Sequence, residues 1–108
     1  MVYELRTYVI PPGRMPDILE RFATVTLRLF ARHGMELVGF WTVCRPQDEH
    51  ALVYLLRFAD EGAQERAWAA FRVDPEWQET RRRTEASGPI VAQVIEKTLV
   101  PTAFSPLQ

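Results

Sequence analysis

Large apolar side chains stand at both parities of the strand-like segments of this chain, and that feature restricts its fold more than any other. In His50–Phe58 (HALVYLLRF), Val53 and Leu55 alternate with Leu52, Tyr54 and Leu56; in Ile90–Val100, Val91 and Ile95 alternate with Ile90 and Val94. Successive strand residues point to opposite sides of a sheet, so either choice of parity leaves an apolar face on each side. An antiparallel sheet leaves a face in water only when that face is polar. These strands therefore need two covers.

The chain itself supplies one. Val2–Ile10 alternates as a strand, with Tyr3, Leu5, Thr7 and Val9 on one side and Val2, Glu4, Arg6, Tyr8 and Ile10 on the other. Pro11-Pro12-Gly13 stops it. From about Pro16 to His33 the period becomes helical, with Ile18, Phe22, Val25 and Leu29 in one stripe widened by Leu19, Thr26 and Phe30. Pro16 suits the first helical turn, and Gly34 suits a left-handed cap after His33. Glu36–Cys44 and His50–Phe58, joined by a polar turn, read as a hairpin. Asp60 is the expected N-cap of a helix over 61–72 that buries Ala63, Ala67, Trp68 and Phe71, and Asp74-Pro75 starts a second helical piece to about Glu85. After Ser87-Gly88-Pro89, Ile90–Val100 is the fourth strand.

The order β-α-β-β-α-β is that of an α+β, ferredoxin-like fold with a four-stranded antiparallel sheet. Its helices shield one face only. The second cover is expected to be another copy related by two-fold symmetry, sheet against sheet, giving a dimeric α+β barrel. A different protein on that face is the alternative.

Composition narrows the function classes. A chain of 108 residues with 47% apolar and 25% charged content makes one globular domain, 1–108. The formal net charge of −1 with no basic half does not indicate nucleic-acid binding. Cys44 is the single cysteine, which excludes an intrachain disulfide and a cysteine metal cluster. Glu4 and Arg6 interrupt any signal-peptide core, and no apolar run approaches the roughly 20 residues that cross a bilayer. A cytoplasmic protein that binds neither membrane nor nucleic acid is expected.

Glu4, Arg6 and Tyr8 share a face of the first strand. With Tyr3, Leu5 and Val9 toward the helices, they would line the dimer cavity, joined by Arg57 beside Val53 and Leu55, and by Gln93 and Lys97. Glu4 is expected to pair with Arg6 or Arg57, because a buried charge without a partner is costly. Two arginines to one carboxylate leave a positive surplus suited to an anionic or enolate-like ligand; the same residues also suit a structural ion pair that fixes register. His33, in the last helical turn, is placed either for acid–base work or for capping carbonyls before Gly34. His50 reads as surface, and the two histidines have no metal-site spacing, so no metal is expected. Trp41, Tyr54, Trp68, Phe71 and Trp77 offer an aromatic lining for a planar molecule, or plain core packing. Strand parity puts Tyr54 and Arg57 on opposite faces. Cys44 reads as structural and Arg81-Arg82-Arg83 as a solvated helix surface.

Several stretches resemble the NIPSNAP family in order and spacing over nearly the whole chain: YELRTY at Tyr3–Tyr8, Pro12-Gly13, His33-Gly34, LVGFW at Leu37–Trp41, DPEW at Asp74–Trp77 and PTAFSPL at Pro101–Leu107. The resemblance implies the same dimeric α+β barrel. The wider superfamily it points to includes cofactor-independent monooxygenases, lactone isomerases, polyketide cyclases and haem-processing enzymes.

Two functional readings follow. One is a homodimeric small-molecule-binding protein whose enzymatic form would need no cofactor: Glu4, His33 or Tyr54 moves a proton, Arg6 or Arg57 holds the enolate, and Tyr8, Trp41, Trp68 and Trp77 contact the substrate. It expects a cavity lined by at least two of Glu4, Arg6, Tyr54, Arg57 and Trp41. The other is a non-catalytic dimeric module with those charges mutually satisfied and the tail 101–108 clasping the partner. Haem binding would need a histidine facing the cavity.

Overall fold

The computed structural model describes residues 1–108. Strand β1 (Val2–Val9) is followed by a helical stretch of three parts: α1 (Met15–Arg21), a π-helical turn (Phe22–Thr26) and α2 (Leu27–Arg32). Then come β2 (Glu36–Thr42), β3 (Ala51–Phe58), α3 (Glu61–Arg72), α4 (Pro75–Thr84) and β4 (Gln93–Leu99). The strands form one sheet in the order β2-β3-β1-β4, every neighbouring pair antiparallel. This is the ferredoxin-like α+β arrangement expected from the element order. No helix is long and apolar enough to cross a membrane.

The punctuation works as its chemistry requires. Asp60 accepts a hydrogen bond from the Ala63 N–H at 2.7 Å, and Asp74 accepts one from the Glu76 N–H at 2.9 Å, so both helices start on carboxylate caps. Gly34 adopts φ 74° after α2, and the Met35 N–H reaches back to the Phe30 carbonyl at 2.9 Å. Three elements are shorter than their patterns suggest. Strand β2 stops at Thr42 before the polar turn, β3 starts after His50, and β4 starts at Gln93 rather than Ile90. Ile90 is instead a fully buried anchor of the turn that leads into β4.

Register fixes which side chains share a face. Val2, Glu4, Arg6 and Tyr8 of β1 lie level with Phe58, Leu56, Tyr54 and Leu52 of β3. That side meets the helices, where Ile18, Leu29, Phe30, Trp68 and Phe71 complete the core. Each such side chain contributes on the order of 1.5–3 kcal/mol by leaving water. The other side carries Tyr3, Leu5, Thr7 and Val9 beside Arg57, Leu55, Val53 and Ala51. It continues through Ile95 and Leu99 of β4 and Trp41 of β2. The chain covers only part of it: Tyr3 is 5% exposed, but Trp41 is 52%, Ile95 41% and Leu99 39%. Trp41 lies flat over Gly39, where any β-carbon would come within 2.7 Å of the indole.

The tail folds back onto this face at the end of the two central strands. The Gln108 carbonyl accepts from Tyr3 Oη at 3.0 Å and from Arg57 Nη2 at 3.4 Å, while Phe104 stands 88% exposed.

An ion-pair lattice ties α2 to α4. Asp74 Oδ2 meets His33 Nε2 at 2.7 Å and Arg32 Nη1 at 3.0 Å, and Glu76 takes Arg28 and Arg32. The His33 bond, with further help from the Glu76 N–H and Arg32, brings Asp74 down to about 2; Arg28 and Arg32 bring Glu76 to about 2. Both folded values lie below the unfolded ones, so the stabilisation is complete above the ordinary carboxylate range and is lost as pH falls from about 4.5 toward 2. Melting temperature should drop across that window, and Asp74→Asn/Glu76→Gln should flatten the drop. An equally steep profile in the double variant would mean these carboxylates do not carry it.

Candidate functional site

A buried carboxylate organises the helix-facing side of β1. Glu4 Oε1 accepts from Trp68 Nε1 and from Gln64 Nε2, each at 2.7 Å, and Oε2 accepts from Arg6 Nη1 at 2.7 Å. Arg6 Nη1 also reaches Glu96 at 2.6 Å, and its Nη2 lies 3.5 Å from Tyr8 Oη. The guanidinium lies on the indole of Trp68, 4.4 Å from the ring centroid. Burial opposes the Arg6 charge, but the phenol oxygens of Tyr54 and Tyr8 and the Glu4 carboxylate outweigh it, so its pKa is raised.

Tyr54 is fully buried, stacked on Phe40 with ring centroids 4.5 Å apart, and its hydroxyl meets that of Tyr8 at 2.8 Å. Burial, reinforced by Tyr8 and opposed by Arg6, holds the Tyr54 phenol well above its ordinary value. Tyr54 is therefore a neutral donor at physiological pH. Tyr8 is the one hydroxyl partner it has, so donation from Tyr54 satisfies it and frees the Tyr8 proton to point elsewhere.

Tyr8 borders a cavity of about 250 Å³ between the sheet and the helices. Aromatic walls come from Phe22, Phe30, Trp68, Phe71 and Trp77; polar groups come from Tyr8, Arg21, Thr26, Arg81 and Glu85. The π-helical turn shapes it. Phe22 and Thr26, four apart and so on one helical face, both border the cavity from this turn, and π-turns recur at functional sites. Arg21, where α1 gives way to that turn, donates to Glu85 Oε2 at 3.1 Å and to Thr84 Oγ1 at 3.2 Å, and lies 4.9 Å from the Trp77 ring centroid. Burial lowers its pKa, and the bond to Glu85 opposes the shift.

The structure thus gathers Glu4, Arg6, Tyr8, Tyr54 and Trp68 into one network, with Trp77 across the cavity, and corrects where they face. Glu4, Arg6 and Tyr8 point toward the helices, not into a chamber between sheets. The reason is hydrogen bonding: Gln64 and Trp68 of α3 supply donors that the uncovered face lacks. Glu4 pairs with Arg6, whereas Arg57 lies on the opposite face, 3.5 Å from Glu36. Trp41 is also on the open face, and His33 is held by Asp74 with its ring against Phe71, 6.4 Å between centroids. None of Glu4, Arg6, Tyr54, Arg57 and Trp41 lines the aromatic cavity, contrary to the expectation for a binding site. Neither histidine lines it.

Of the polar wall, Tyr8 was an expected substrate contact, whereas Arg21 and Glu85 were not among the expected site residues. Arg21 had a usable signal: it falls three after Ile18 and four before Val25, a charged residue set in an apolar stripe. Glu85 had none, since it follows a run of exposed arginines.

With the geometry established, relatives can be compared. The NIPSNAP family model matches residues 3–106. An uncharacterized NIPSNAP domain protein from Burkholderia xenovorans superposes with a TM-score of 0.85 at 26% identity, covering 98% of this chain and 99% of that one. A NIPSNAP family protein from Agrobacterium tumefaciens gives 0.86 at 21%, covering 99% and 98%. SnoaB, a cofactor-independent oxygenase from Streptomyces nogalater, gives 0.64 at 15% over 97% and 96%, a likeness of fold. No curated protein matches the chain.

Removing one member of the buried pair should be costly. Glu4→Ala is expected to lose ~3–5 kcal/mol in denaturant unfolding, because it strands Arg6, whereas Tyr54→Phe should lose only about 1 kcal/mol. A Glu4→Ala loss no greater than that of Tyr54→Phe would show that the network does not hold the face together.

Proposed function

The chain belongs to the NIPSNAP family, and on that premise we propose that it is a homodimer that binds a compact, planar, enolisable metabolite between its sheet and its helices and acts on it without a cofactor. The observation that carries this reading is the aromatic-walled cavity bordered by the Glu85 and Tyr8 side chains. Its volume of about 250 Å³ is slightly below the usual span of small-molecule sites, roughly 300–1,000 Å³. A ligand of one or two rings fits that space better than an extended polyketide.

The chemistry follows from which groups are free. Glu4 does not serve as base, since Arg6, Gln64 and Trp68 occupy both of its oxygens and it does not border the cavity. Glu85 can: Arg21 and Arg81 bind its Oε2, and its Oε1 makes no hydrogen bond. Glu85 Oε1 takes the proton from a carbon beside the substrate carbonyl, the C–H electron pair forms the enolate C=C bond, and the carbonyl π pair moves onto oxygen. The Tyr8 hydroxyl, polarised by Arg6 and backed by Tyr54, donates to that oxyanion. Isomerisation or cyclisation then needs no further reactant, and oxygenation takes dioxygen. The fold likeness to a cofactor-independent oxygenase agrees with this chemistry.

Dimerisation rests on the open face. Leu5, Val53, Leu55, Ile95 and Trp41 form an apolar surface that a second copy covers by two-fold pairing. The exposed Phe104 of the tail belongs to the same assembly. A second reading, a non-catalytic dimeric module, draws on the fully satisfied Glu4–Arg6 pair, which resembles a structural lock more than a catalytic group.

Two measurements separate them. Sedimentation should give a dimer that Leu55→Arg converts to a folded monomer. In deuterated buffer, enolisable aryl ketones should exchange their α-protons faster with the protein than with buffer alone. Glu85→Gln should lower that rate ~10²- to 10⁴-fold. A folded dimer that neither binds nor exchanges any of them would favour the structural module; a folded wild-type monomer would overturn the dimer.

A further inference from the structure

Four arginines keep a buried Nε without a hydrogen-bond partner: Arg6, Arg14, Arg21 and Arg57. In three of them both terminal nitrogens are engaged. Arg6 uses Nη1 on Glu4 and Glu96 and Nη2 on Tyr8; Arg14 uses Nη1 on Ser87 and Nη2 on two carbonyls; Arg57 meets Glu36 through Nη1 and the Gln108 carbonyl through Nη2. Arg21 differs. Its Nη1 is taken by Thr84 and Glu85, while Nε and Nη2 make no hydrogen bond at all. Those two nitrogens share one edge of the guanidinium, on which Nε is enclosed and Nη2 is open to a charge-assisted bond with a carboxylate.

The side chain is 5% exposed, with Nε enclosed by protein. Nη2 is not enclosed and has no hydrogen-bond partner, so it is the nitrogen left for a ligand. Charge agrees. Arg21 and Arg81 against Glu85 leave one positive charge in excess at the cavity wall. The guanidinium is held flat by Trp77 beneath it, and the π-helical turn fixes the start of the wall at Arg21.

Resting on the cavity reading above, we infer that the free Nη2 of Arg21 seats a ligand carboxylate, and that the metabolite taken by this cavity is a planar acid. The acid group lies on Arg21 and the ring lies between Trp77, Phe22 and Phe71. Arg21 also borders a second, polar hollow of about 210 Å³ beside Arg14 and Arg83. A free inorganic anion would settle there, and a carboxylate carried on a ring would not.

The test titrates the full chain with benzoate, cinnamate and 2-naphthoate, with their primary amides, and with inorganic phosphate, by calorimetry and tryptophan fluorescence. At least one acid should bind about 10-fold or more tighter than its amide, and phosphate should not displace it. Arg21→Lys should bring acid and amide level. Glu85→Gln removes a like charge and should tighten the acid about 3- to 10-fold with the amide unchanged. Acid and amide binding equally to the wild type would sink the inference and leave the cavity reading standing. Phosphate that binds and displaces the acid would overturn it in favour of the polar hollow, and no binding by acid or amide would reject both readings. Should Arg21→Lys fail to fold, Glu85→Gln decides: an unchanged acid affinity there contradicts the assignment.

Discussion

The orientation of the sheet depends on one buried carboxylate. Glu4 sits in the first strand, 3% exposed, and an ionised side chain removed from water must find several donors at once. Arg6 provides one from the same strand, and Trp68 and Gln64 provide two more from α3. No arrangement with Glu4 on the other face offers an indole or an amide from a helix. Once that side is fixed, alternation sends Tyr8, Tyr54 and Leu56 inward with it and leaves Leu5, Val53 and Leu55 outward.

Two surfaces of different character result. Inward, charge and aromatic rings are layered: Arg6 on Trp68 over the strands, and Arg21 on Trp77 across the cavity. A guanidinium on an indole keeps its charge while shedding water, so such layers can border an apolar cavity without filling it. Outward, the sheet carries branched and aromatic side chains with no layer of their own. The inner side holds the candidate chemistry and the outer side the expected contact with a second copy. They are separated by the thickness of the sheet, and residues such as Tyr54 and Arg57, three apart in one strand, serve opposite sides.

The element order, the two aspartate caps and the glycine after α2 were legible because period and punctuation are local properties. Facing was not. Val2, Tyr8 and Ile10 are as apolar as Leu5 and Val9, so the first strand reads equally well either way. Glu4 and Arg6 then tip a sequence reading outward, since charges usually seek water, and only tertiary donors reverse it. The π-helical turn was illegible for a related reason: Phe22–Thr26 has the composition of ordinary helix, and the extra residue is selected by packing around Tyr8 and Phe40. Trp41 was grouped with the pocket on residue type, Arg57 on its parity with Val53 and Leu55, and His33 on its place at a helix end. The topology sends the first two across the sheet and ties the third to Asp74. Aromatic lining was foreseeable at Trp68 and Trp77, where helical spacing places them on an inner face.

The most direct measurement is hydrogen exchange at the three tryptophan indole N–H groups, followed by NMR in the intact protein. If Glu4 faces the helices with its carboxylate on Trp68 Nε1, that proton should exchange only through global unfolding, orders of magnitude more slowly than a free indole. A Trp68 indole that exchanges as fast as one open to solvent would place Glu4 elsewhere and undo the facing of the sheet, the cavity beside it and the open surface behind it.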